Sequence, residues 1–145
     1  MYAGSMSYDC YFFKQIPGKS VRECYEAICV EEQPRIDLER IPKEQIADEL
    51  LRLGLGLEKF EIDFEALAKE RGCSVEEARR QFPNIELNTD EDSDEVPYQI
   101  VLSDFDVFVT FPYGTVGNEQ REILLKGLET VYKVLRSNGL VGYDP

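Results

Sequence analysis

The side chains able to do chemistry in this chain are carboxylates, thiols and phenols, because it contains no histidine. Without imidazole there is no Ser-His-Asp triad, no Cys-His pair and no nitrogen ligand for a metal. The commonest general base near neutral pH is missing as well. Carboxylates are plentiful, 29 against 16 Lys and Arg, so acid pairs arise from numbers alone. Asp104 and Asp106 flank Phe105 at a turn, where both can project from one edge as a two-carboxylate hydrolase would need. Solvated hairpin carboxylates are the commoner reason for that pattern. Asp90, Asp92 and Asp94 have the spacing of the first three ligands of a calcium loop. Glu95 then stands where the loop needs glycine, and Val101 where it needs a bidentate glutamate.

The four cysteines, Cys10, Cys24, Cys29 and Cys73, form no C-x-x-C knuckle, so a zinc site would have to recruit all four thiolates. Reduced cysteines serving as small apolar residues explain them more simply. Gly54-Leu55-Gly56 lacks the third glycine of a dinucleotide fingerprint and the Lys-Ser/Thr of a P-loop. It reads as the end of a helix. From Leu67 to Phe82, a helix, a glycine turn and a Ser74-capped second helix have the local grammar of a helix-turn-helix. Its Arg79 and Arg80 are offset by Glu76 and Glu77, which suits a packed hairpin better than a surface for phosphates.

The net charge of −13 opposes phosphate backbones and anionic lipid, whose binding needs Lys or Arg to replace counterions. A basic protein partner, or solubility by itself, is the matching explanation. Neither a nucleic acid nor a membrane is expected as a partner, and no cofactor is implied. No apolar run reaches the roughly 20 residues of a membrane span. The first ten residues lack a basic start and an apolar stretch, so a cytoplasmic location is expected. Residues 1–5 read as an upstream extension or cloning remnant, and 6–145 as one α+β domain. A chain of this length can bury about 70% of its unfolded surface without metal or disulfide.

The elements follow from periodicity. Tyr8 to Phe13 is apolar on both faces, as a central strand would be. Ser20 and Glu23 form a capping box ahead of a helix with Val21, Cys24, Tyr25 and Ile28 turned inward. Pro42 opens a second helix carrying Ile46, Ala47, Leu50 and Leu53. Short helices follow over Phe64 to Arg71 and Val75 to Phe82. Ile85 and Leu87, then Tyr98, Ile100 and Leu102, then Val107, Val109 and Phe111 alternate as strands. Leu124, Leu128, Val131 and Leu135 mark a last helix, stopped by Asn138-Gly139, with an edge strand at Leu140 to Tyr143. Sequential strands normally pair with their neighbours. The expected fold is α+β, a mainly antiparallel sheet with helices on one face, in a ferredoxin-like sandwich carrying a helical insertion.

Eight tyrosines and eight phenylalanines exceed what one small core needs. Tyr113, in a Phe-Pro-Tyr-Gly loop, and Tyr132, off the apolar stripe of the last helix, are candidates for exposure beside acid. Asp92, Asp94, Glu95 and Tyr113 are therefore the expected contacts for a basic protein partner. A carboxylate or tyrosine pocket between sheet and helices, serving a ligand sensor or an enzyme, is the alternative.

Several segments occur in an order that resembles an uncharacterised bacterial family of small acidic proteins. They are Met6-Ser-Tyr-Asp-Cys-Tyr-Phe-Phe, Cys73-Ser-Val-Glu-Glu-Ala-Arg-Arg-Gln-Phe-Pro-Asn-Ile-Glu-Leu-Asn, Tyr98-Gln-Ile-Val-Leu-Ser-Asp, Val107-Phe-Val-Thr-Phe-Pro-Tyr and Gly142-Tyr-Asp-Pro. The resemblance implies no activity and no site residues. Analogy with small acidic immunity proteins makes an immunity-type inhibitor the most specific form of the interaction reading.

Overall fold

A computed structural model describes residues 7–30, 38–89, 98–112 and 118–145. Its strands are β1 (Ser7–Phe13), β2 (Leu57–Lys59), β3 (Ile85–Thr89), β4 (Gln99–Leu102), β5 (Asp106–Pro112) and β6 (Val141–Tyr143). The α-helices are α1 (Val21–Tyr25), α2 (Lys43–Leu51), α3 (Phe64–Arg71), α4 (Val75–Gln81) and α5 (Asn118–Ser137). All six strands join one antiparallel sheet in the order β2-β3-β4-β5-β1-β6. The α+β, antiparallel expectation holds. The sheet is wider than the four strands of a ferredoxin-like sandwich: the chain between α2 and β4 adds β3 and β2 at one edge.

One face of the sheet is sealed. Cys10 and Phe12 of β1, Leu87 of β3, Ile100 and Leu102 of β4, and Val107 and Val109 of β5 share a core with Ile46 and Leu50 of α2 and Leu128, Val131 and Leu135 of α5. Side chains alternate between faces along a strand, so the apolar residues at every second position meet one layer of helices. Asn138, just past α5, donates to Glu49 of α2 at 2.9 Å and links the two covering helices.

The shorter α1 lies on the opposite face, although the sequence suggested helices on one face alone. Phe13, Cys24 and Ile28 form a second buried cluster there, with Tyr11, Tyr25, Val141 and Tyr143 against it. The cause is visible in β1, whose Tyr11 and Phe13 are as apolar as Cys10 and Phe12 and need their own cover. Ser20 accepts from the Glu23 N–H, and Glu23 from the Ser20 N–H, completing the capping box. This backbone hydrogen bond holds the Glu23 carboxyl below its usual pKa. The helix then widens into a π-helical turn over Glu26–Val30.

The segment that sequence periodicity left out is β2. It is three residues long, with only Leu57 buried, too short for an alternation to register. Gly54 and Gly56 precede it with positive φ of 70° and 74°, a conformation that favours glycine; they turn the chain from α2 into the sheet. The α3–α4 pair is a hairpin closed over Ala68 and Ala78. Arg79 lies over the Phe64 ring and Arg71 over the Phe82 ring, each 5.2 Å from the centroid.

Candidate functional site

The second face of the sheet is only partly covered, and its side chains fall into two rows fixed by strand register. Glu58, Asn88, Gln99, Thr110 and Asp9 stand abreast across β2, β3, β4, β5 and β1. One step along the strands, Glu86, Val101, Phe108, Tyr11 and Tyr143 stand abreast across β3, β4, β5, β1 and β6. With strands about 4.8 Å apart, five of them make a row roughly 19 Å long. Asp106 starts a third row, opposite Phe13. Apart from the exposed Glu58 and the buried Phe13, these side chains are half-buried.

The second row is aromatic at its centre. The Tyr11 ring lies 4.9 Å from Phe108 and 5.1 Å from Tyr25, and Tyr25 lies 4.7 Å from Tyr143. The first row is polar and organised. Gln99 donates to Glu86 and, at 3.0 Å, to Asn88. Thr110 donates to Asp9 at 2.6 Å. These hydrogen bonds set the acceptor groups in place.

The field over this face is negative. Asp9, Glu58, Glu86 and Asp106 project from it, and its described strand positions carry no Lys or Arg. Burial raises the Tyr11 hydroxyl pKa, and Tyr25, Asp9, Cys29 and Asp106 raise it further. Aromatic rings on central strands are also how some sheets stack nucleic-acid bases. Here a phosphate would meet carboxylates, so the physical chemistry favours a cationic or neutral contact.

The remaining candidates resolve one by one. Asp104 and Asp106 do not act as a pair: Lys43 holds Asp104 at 2.7 Å while Ser103 donates to Asp106. The lysine hydrogen bond holds the Asp104 carboxyl below the ordinary aspartate range. Lys43 also donates to the Pro83 carbonyl at 2.8 Å, so one ammonium ties α2 to two turns. Cys10 and Cys24 are buried, and Cys29 donates to Asp106 at 3.7 Å. Burial raises the Cys10 pKa, which leaves its thiol protonated and inert. No cluster of three metal-ligating side chains occurs among the described residues.

Tyr132 is not the exposed anchor that its helical position suggested. Its ring packs 5.0 Å from Phe12 and its hydroxyl donates to Cys10 Sγ at 3.7 Å. Burial, then the Cys10 contact, pushes the hydroxyl pKa well above its usual value. The physical reason is reach: a tyrosine beside an apolar stripe can fold its ring onto the core and leave only its hydroxyl at the rim. Asp92, Asp94, Glu95 and Tyr113 lie outside the described residues, as do Asp90 and the rest of the acidic segment. The strand ends that lead into them, Thr89 of β3 and Pro112 of β5, are at the same end of the sheet.

Tyr11, Phe108 and Val101 were not singled out by sequence reading. Their signal was present: β1 and β5 carry the aromatic Tyr11, Phe13 and Phe108 on the alternation opposite Cys10, Phe12, Val107 and Val109. No protein-family model, curated protein or solved structure matches the chain. Function is therefore argued from this geometry. No helix among the described residues is long and apolar enough to cross a membrane.

Proposed function

We propose that the protein is a non-enzymatic, cytoplasmic protein-interaction domain that presents the acid-bearing sheet face to a basic partner. An immunity-type inhibitor is its most specific form. The observation that carries this reading is the pairing of an aromatic row with Asp9, Glu58, Glu86 and Asp106, with no Lys or Arg at the described strand positions of that face. Partly exposed rings supply contact area, and the surrounding acid selects a cationic partner and speeds encounter. In this proposal Asp92, Asp94, Glu95 and Tyr113 are further contacts for the partner.

A pocket between sheet and helices is less well supported. Leu50, Ile46, Leu128 and Leu135, all at most 2% exposed, fill the space between the sheet and α2 and α5. Affinity capture followed by partner identification tests the proposal. A basic protein should be retained, released by salt, and lost when Asp9→Asn, Glu58→Gln and Glu86→Gln are combined. Retention of the same protein by that variant at all salt concentrations would refute the assignment of the face.

A further inference from the structure

The aromatic row runs at its β3 end into a hollow of about 290 Å³ whose apolar lining is Phe60, Ile62, Phe82, Pro83 and Val101, with Gln81, Asn84 and Glu86 as its polar wall. Phe60 and Phe82 are 55% and 39% exposed, an unusual degree of exposure for phenylalanines facing a common hollow. The hollow is built by three separate pieces of chain. The Phe60 N–H donates to the Glu86 carbonyl at 2.9 Å, extending β2 along β3. The lysine of α2 fixes Pro83 through its carbonyl. Val101 comes from β4 and stands beside Glu86 in the register.

Resting on the interaction reading above, we infer that this hollow holds one large apolar side chain of the basic partner, on a segment whose neighbouring residues are Lys or Arg. Its volume of about 290 Å³ lies at the lower end of the range of about 300–1,000 Å³ usual for small-molecule sites and admits a single phenylalanine or leucine side chain. Charge complementarity decides the flanking residues. Glu86 is shared between the hollow and the acid-bearing face, so a cation beside the anchor meets it, with Glu58 on the neighbouring strand β2. Of the nearby cations, Lys43 is engaged with Asp104 and Pro83 and Arg71 with Gln81 and the Phe82 ring, while Lys59 belongs to the opposite face of β2.

Fluorescence anisotropy with three labelled peptides tests the inference: Lys-Lys-Phe-Lys-Lys, Lys-Lys-Ala-Lys-Lys and Glu-Glu-Phe-Glu-Glu. The lysine-flanked phenylalanine peptide should bind about tenfold or more tightly than the alanine one, the fold-change expected for burying one aromatic side chain. Phe60→Ser and Phe82→Ser should each reduce it to the alanine level. Ile123→Ser, a 53% exposed residue of α5, should change nothing. Equal binding of the two lysine peptides would overturn the anchor while leaving the acid-bearing face standing. No binding of either lysine peptide would overturn both, and preference for the glutamate peptide would overturn the basic segment. Should Phe82→Ser lower the melting temperature, the more exposed Phe60→Ser decides the matter alone.

Discussion

The two faces of the sheet are built from the same strands, yet they have different fates. On one, Leu87, Ile100, Leu102, Val107 and Val109 are fully buried beneath α2 and α5. On the other, Val101, Phe108 and Tyr11 stay half-buried among Asp9, Glu86 and Asp106. Among the described residues, the five-residue α1 and its π-helical extension cover β6, β1 and the start of β5, where Cys29 donates to Asp106 at 3.7 Å. Among the described residues this face of apolar and acidic side chains has no full helical layer. In the proposed function stability and recognition are divided between the two faces, and substitutions should separate them.

The largest effect should follow Ile100→Ala on the sealed face. Removing a fully buried side chain from a close-packed layer costs about 2–5 kcal/mol, to be read from urea denaturation. The same substitution made on each face gives a cleaner contrast. Val109→Thr places a hydroxyl in the sealed core and should cost about 1–3 kcal/mol, whereas Val101→Thr on the partly exposed face should cost about 0.5 kcal/mol or less. Equal losses would erase the distinction between the faces.

Gly142→Ala probes the edge between the two clusters. A Cβ there would sit 2.8 Å from Phe12 Cε2, and Phe12 is held against Tyr132. Overpacking of this kind costs about 1–3 kcal/mol, visible as a lower melting temperature. The smallest effect belongs to Asp104→Asn. Lys43 lowers the folded carboxyl pKa, so the ion pair contributes above the unfolded aspartate value near 4. That contribution disappears as pH falls through the lower folded value. The pair is partly solvated, with Lys43 and Asp104 side chains 17% and 33% exposed, so the loss at neutral pH should be about 1 kcal/mol or less. The variant should also flatten the acid limb of stability below pH about 4.

Much of the architecture was legible because its signals are local. The Ser20–Glu23 box, the Leu124-Leu128-Val131-Leu135 stripe and the alternation through Ile100 and Val107 each specify an element from a few neighbouring residues. Strand β2 was illegible because a single buried leucine makes no pattern. The position of α1 was illegible for another reason: periodicity tells which side of a helix is apolar, not which face of a sheet receives it. The site suffered most. Tyr11, Val101 and Glu86 are far apart in sequence and meet only through strand register, while charge density in the chain drew attention to Asp92, Asp94 and Glu95. Tyr132 misled because helical spacing ignores the reach of a long aromatic side chain.

The account depends on the acid-bearing face attracting cations more strongly than the acidic residues scattered over α2, α3 and α4. An NMR titration of the ¹⁵N-labelled protein with hexalysine measures this directly. Amide shifts should be largest at Asp9, Glu86, Gln99 and Thr110 and should fade as salt rises toward a Debye length of about 8 Å. Shifts centred on Glu44, Asp48, Glu65 and Glu70, with the sheet face silent, would contradict it.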